Sequence, residues 1–139
     1  MNRALFFILV LGAVLSGCTM PKDNADKKLS LKGGIPELKL NKEMYNFGRI
    51  KEGDVVGKYV WLKNEGTGAL IISDIRPNCD CIEVKYDKKP VEPGDSARLE
   101  VIFDTNGFYG RQVKFLKVFS NDKRNKEIEI MFWADIEGR

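Results

Sequence analysis

Residues 92–104 read Glu-Pro-Gly-Asp-Ser-Ala-Arg-Leu-Glu-Val-Ile-Phe-Asp, and they decide the fold class. Glu92-Pro93-Gly94-Asp95 is turn chemistry, because proline presets one backbone angle and glycine readily supplies a positive one. Beyond it Ala97, Leu99, Val101 and Phe103 alternate with Arg98, Glu100 and Ile102. A period of two puts the first set on one face of a β-strand, where it can face a core, and no helix has that period.

The same pattern repeats outward in both directions. Upstream, Glu37 to Leu40 alternates, Met44-Tyr45-Asn46-Phe47-Gly48 leads into Ile50, and Glu52-Gly53-Asp54 makes a turn. Val56, Val60 and Leu62 share a face as far as Asn64, and Glu65-Gly66-Thr67-Gly68 turns the chain again. Ala69 to Ile75 is a near-continuous apolar run, and Ile82, Val84 and Tyr86 alternate with Glu83, Lys85 and Asp87. Downstream, Gln112 to Ser120 and Glu127 to Ile136 are joined by the polar turn Asn121 to Asn125. About seven or eight strands at roughly 8–12-residue spacing predict an all-β fold, a single immunoglobulin-like antiparallel β-sandwich over residues 35–139. The antibody-type Cys…Trp…Cys spacing is absent, so the immunoglobulin likeness is one of architecture.

The residues ahead of the sandwich are of a different kind. Asn2 and Arg3 precede the uncharged run Ala4 to Val14, which has the length of a signal-peptide core and falls short of the roughly 20 residues a spanning helix needs. Leu15-Ser16-Gly17-Cys18 closes that run and resembles the lipobox of bacterial lipoproteins. The resemblance implies a signal peptide over residues 1–17, cleavage before Cys18 and acylation of its thiol, with an ordinary secretory signal as the plainer alternative. Thr19 to Gly34 is polar, rich in Lys and Asp, and without period, so residues 18–34 are expected to form a lipidated flexible tether. Thr19 rather than Asp after Cys18 points to the outer membrane, and the missing acidic cluster to the periplasmic side.

Composition narrows the function. The chain has 23 basic and 20 acidic residues, a net charge of +3, and no basic run with interleaved aromatics, so no nucleic-acid partner is expected. It has no histidine, which removes the commonest general base and the commonest metal ligand together. Acid–base chemistry would fall to carboxylates such as Asp74, Asp80, Asp104 and Asp135. Glu127 and Glu129 share a strand face, but surface charge explains such a pair more simply than catalysis does. No phosphate loop, nucleophile elbow or metalloprotease motif is present, and neither enzymatic activity nor a cofactor is expected.

Several short motifs then fall in order: Phe47-Gly48-Arg49-Ile50 with Glu52-Gly53, Lys63-Asn64-Glu65-Gly66, Ala69-Leu70-Ile71-Ile72 and Asn78-Cys79-Asp80-Cys81. Pro93-Gly94, Phe103-Asp104-Thr105, Gly110 and Ser120-Asn121 follow. The string, over about Met44 to Ile136, resembles a bacterial family of unassigned function, common as secreted proteins and lipoproteins. That family is distantly similar to the immunoglobulin-like domains of major sperm protein and Hydin-type proteins. The resemblance implies the sandwich and an extracytoplasmic role as a non-catalytic module. Where relatives carry Ser-Cys-Gly-Cys-Thr this chain has Asn78-Cys79-Asp80-Cys81-Ile82, without the glycine that most easily takes positive φ.

A non-catalytic sandwich most often works by protein contact, so a protein partner in the envelope is expected, with a membrane contact through lipid on Cys18. If Val60, Leu62, Leu116, Val118, Ile130 and Phe132 point inward, alternation turns Tyr59, Trp61, Phe115, Phe119, Met131 and Trp133 outward as a candidate partner surface. The alternative function is a thiol redox or copper(I) module on Cys79 and Cys81, the sole metal ligands considered. On an extended strand their Cα atoms would stand roughly 6.6 Å apart, so a disulfide between them requires a tight turn or bulge and would be easily reduced.

Overall fold

The computed structural model describes residues 33–138; the predicted signal peptide, Cys18 and the tether up to Lys32 lie outside them. These residues form eight strands: β1 (Leu38–Leu40), β2 (Met44–Lys51), β3 (Val55–Asn64), β4 (Ile72–Pro77), β5 (Ile82–Tyr86), β6 (Ser96–Asp104), β7 (Gly110–Ser120) and β8 (Glu127–Glu137). A first sheet has the order β1-β3-β6-β5 and a second β2-β8-β7-β4, and one hydrophobic core lies between them. The alternation of residues 96–104 is met side chain by side chain: Leu99, Val101 and Phe103 are buried, while Arg98 is exposed.

One pairing departs from the antiparallel expectation. β2 runs parallel to β8, with Tyr45 opposite Phe132 and Ile50 opposite Ile136. β1 and β2 are two lengths of one edge segment: the first pairs with β3, and the chain then changes sheets through Asn41–Glu43 and keeps its direction. Period-two patterning reports which face of a strand is buried and says nothing about which strand lies beside it, so this pairing was not predictable from alternation. A register shift at Phe47 separates the pairs Asn46–Trp133 and Gly48–Ala134. Gly48 takes φ of 90° there, and its N–H donates to Asn46 Oδ1 at 2.6 Å, which is why the Phe-Gly motif needs its glycine.

The apolar run Ala69 to Ile75 also resolves into two parts. Leu70, fully buried, forms an isolated bridge with Val91 as the chain crosses between sheets, and the strand proper begins at Ile72. Core aromatic rings cluster toward one end: Tyr45 stacks on Phe132 at 5.4 Å, Phe47 meets Phe103 and Phe132, and Phe103 meets Phe108 at 5.8 Å.

The two ends of the sandwich differ. Leu38 opposite Asn64 and Lys63 opposite Ser96 mark the end where the chain enters. There Asn64 is fully buried with all its amide capacity used: Nδ2 donates to Gly68 O and Val91 O, both at 2.8 Å, and Oδ1 accepts from Gly66 N–H and Glu37 N–H. Gly34 and Gly68 lie so close that a Cβ on either would collide with the other segment's backbone, so close contacts begin one residue before the predicted boundary at Ile35. Buried Asp122 ties the β7–β8 loop to β1, accepting from Leu38 N–H at 2.9 Å, Arg124 N–H and Asn125 Nδ2. Burial pushes its carboxyl up, but these hydrogen bonds outweigh that and hold it below the usual range. At the far end, marked by Val55 opposite Asp104 and Ile82 opposite Phe103, buried Thr105 faces the β2–β3 turn, its hydroxyl within hydrogen-bond distance of Lys51 O and Asp54 O.

Candidate functional site

The six outward aromatic and methionine positions divide between opposite faces of the molecule. Tyr59 and Trp61 lie on β3 and face out from the first sheet, 53% and 44% exposed. Phe115, Phe119, Met131 and Trp133 lie on β7 and β8 of the second sheet and are half-buried. Alternation therefore assigns each side chain to its correct side of its own strand. The core stands between the two groups, so they do not form one surface.

Register assembles a smaller and tighter group on the second sheet. Phe115 pairs with Met131 and Val113 with Trp133, while Met44 of β2 sits opposite Met131 on its other side. Met44 is 63% exposed and Val113 42%. The result is an apolar band across three strands: Met44, Met131 and Phe115 in one row, Trp133 and Val113 in the next. Phe119 is set apart from it by Lys117, which pairs with Glu127 at 2.6 Å, and Arg76 lies 4.9 Å above the Phe119 ring. Met44 and Val113 were missed from sequence because an exposed apolar residue acquires meaning only beside its cross-strand neighbours.

The band has a charged border. Arg111 grips Asp135 with Nε at 2.8 Å and a second nitrogen at 2.9 Å, and its guanidinium lies 4.9 Å over the Trp133 ring. The hydrogen bond from Arg111 holds the Asp135 carboxyl below the usual carboxylate range, and the bond from Arg76 does the same for Asp74. Two carboxylates singled out for acid–base work are thus pushed away from the neutral range, and they stand at opposite ends of the second sheet. On the first sheet Arg98 lies 4.9 Å over Tyr59, beside a groove of about 610 Å³ whose lining includes Lys85, Asp87, Arg98 and Glu100. Among the described residues no three His, Cys, Asp or Glu side chains converge as a metal site.

Cys79 and Cys81 occupy the turn between β4 and β5 at the far end and are joined in a disulfide, with Cα atoms 5.2 Å apart. The condition read from sequence, a tight turn, is met without glycine at residue 80. Joined in this way, neither sulfur is the thiolate that copper(I) binding needs. A cross-link between residues two apart closes a ring so short that its restriction of the unfolded chain contributes about 1.5 kcal/mol. Reducing it should lower the melting temperature by less than about 10 °C in a calorimetric scan; a larger fall would make the bond a structural staple.

Comparison with known proteins supplies the wider setting. The family model described as "Protein of unknown function (DUF1573)" matches residues 38–136. None of the curated proteins compared matches the chain. Among solved structures, a protein of unknown function from Porphyromonas gingivalis W83 is similar with a TM-score of 0.63 and 19% identity, over 81% of this chain and 51% of that one. The Vibrio cholerae VesB protease gives 0.60 and 17% over 70% of this chain and 31% of the protease. The ASH/PapD-like domain 7 of human CEP192 gives 0.58 and 11% over 73% and 86%. At these identities the likeness is one of fold. The chain spans about half the length of the first protein and under a third of the second.

Proposed function

Because the chain belongs to the DUF1573 family of proteins of unknown function, we propose its role from its own surface and its leader: a non-catalytic lipoprotein, anchored through Cys18, that binds a protein partner in the cell envelope. The contact face is the outer side of the second sheet. The observation that carries this is the band of Met44, Val113, Phe115, Met131 and Trp133, which register gathers on one face inside a charged border. An apolar centre with an aromatic–arginine pair and a polar rim is the composition that interfaces favour. The lipobox-like Leu15-Ser16-Gly17-Cys18 supports the anchor, Thr19 supports the outer membrane, and the missing acidic cluster after Cys18 supports a domain facing the periplasm.

Photo-crosslinking in intact cells tests the face. A photoreactive residue at Val113 should give a discrete adduct that Trp133→Ala weakens, while the same residue at Trp61 should give none. Equal adducts from both positions, or none from Val113, would overturn the assignment. The anchor is tested separately: Cys18→Ser should leave the protein either uncleaved or out of the detergent phase, and a cleaved variant with an unchanged membrane fraction would refute lipidation at Cys18.

A further inference from the structure

Lys114 is out of place. It alternates with Leu116 and Val118 on the inward side of β7, where the core lies. Its ammonium sits 4.0 Å from the Phe108 ring centroid and 5.8 Å from that of Phe103, and among the described residues it makes no ion pair. Burial lowers its pKa from the ordinary lysine value. A half-enclosed cation held by two rings and, among the described residues, in no ion pair is suited to an anion.

The candidate anion lies at the same end of the sandwich. Pro77 pairs with Leu116, and Asn78 brackets Phe115 with two hydrogen bonds, N–H to Phe115 O and Oδ1 from Phe115 N–H, both at 3.0 Å. Cys79 follows Asn78 directly and Lys114 precedes Phe115 directly, so the two lie on adjoining segments of the chain at this end. On the other side Asp104 N–H donates to Cys81 O, placing Cys81 beside the end of the strand that carries Phe103. Both cysteines and Phe108 pack against the same core. This end is opposite the one where the chain enters.

We propose that this end of the sandwich is a thiol–disulfide exchange site at which Lys114 holds Cys79 as a leaving thiolate. A thiolate of a partner protein dithiol attacks Sγ of Cys81, the Cys79–Cys81 bond breaks, and its electron pair leaves on Cys79, opposite the Lys114 ammonium. The partner's second thiol, as thiolate, then attacks the mixed disulfide and releases Cys81. The partner ends as a disulfide, and its two protons end on Cys79 and Cys81, so electrons and protons balance. A lower leaving-group pKa speeds such a step, and a neighbouring ammonium supplies it. Asp80 in the turn and Asp104 beside it are carboxylates at this end and work against the thiolate. The proposal goes beyond the partner-face reading and stands or falls without it, since the two sites have different residues.

The test uses the full chain with Cys18→Ser, so that Cys79 and Cys81 carry the sole thiols. Dithiothreitol serves as the dithiol probe, and iodoacetamide alkylation of the reduced protein is followed against pH at each cysteine by mass spectrometry. Lys114→Met should slow reduction at pH 7 by roughly fivefold and move Cys79 alkylation, but not Cys81, to higher pH. Lys114→Arg should restore both, and Asp80→Asn should speed both. Lys114→Met replaces an unpaired ammonium with an apolar chain of similar length, so its melting temperature should not fall. Unchanged reduction rates and alkylation profiles in Lys114→Met would overturn the proposal, as would a failure of Lys114→Arg to restore them.

Discussion

Asn64→Ala is expected to cost about 3–4 kcal/mol of stability, through hydrogen bonds rather than packing. The side chain is fully buried, and its amide joins four backbone groups from three segments: Glu37 ahead of β1, Gly66 and Gly68 in the turn after β3, and Val91 in the β5–β6 loop. Truncation takes a donor from Gly68 O and from Val91 O, which keeps the Leu70 N–H, and removes the acceptor of two part-buried N–H groups, those of Glu37 and Gly66. Asn64→Asp should be no better, because it keeps the acceptor but sets a second oxygen against Gly68 O and Val91 O. Urea titration of the Cys18→Ser chain measures both variants. A loss below about 1 kcal/mol would mean that the loops at this end hold without Asn64.

Phe132→Ala is the second large effect, at about 3–5 kcal/mol through lost burial and the cavity left behind. Its ring is 1% exposed, stacks on Tyr45 and touches Phe47, so removing it empties the junction of β2 and β8. Trp133→Ala, one residue along, should cost about 1 kcal/mol, chiefly its contact with the Arg111 guanidinium. The neighbouring pair is a sharp test because a slip of one residue in β8 would exchange the two values. Equal losses would refute the register and with it the apolar band on the second sheet.

Alternation in residues 56–62, 96–104, 112–120 and 127–136, with turn residues such as Glu65-Gly66, Pro93-Gly94 and Asn121 to Asn125 separating strands, was enough to determine the fold class and the side of every outward aromatic. The reason is local: strand pleating turns successive side chains to opposite faces whatever lies beside the strand. Which strands are neighbours is a matter of long-range pairing, and there local pattern is silent. The parallel run of β2 beside β8, the division of the six candidate positions between two faces, and the gathering of Met44 and Val113 with Met131, Phe115 and Trp133 were decided by tertiary structure alone. The same holds for Asn64, the last residue of a strand by its sequence and a buried hub in the fold, and for Lys114. In sequence Lys114 is an ordinary polar position of an amphipathic strand. Only the packing of Phe103 and Phe108 against it, near a turn that closes Cys79 on Cys81, gives its charge a neighbourhood.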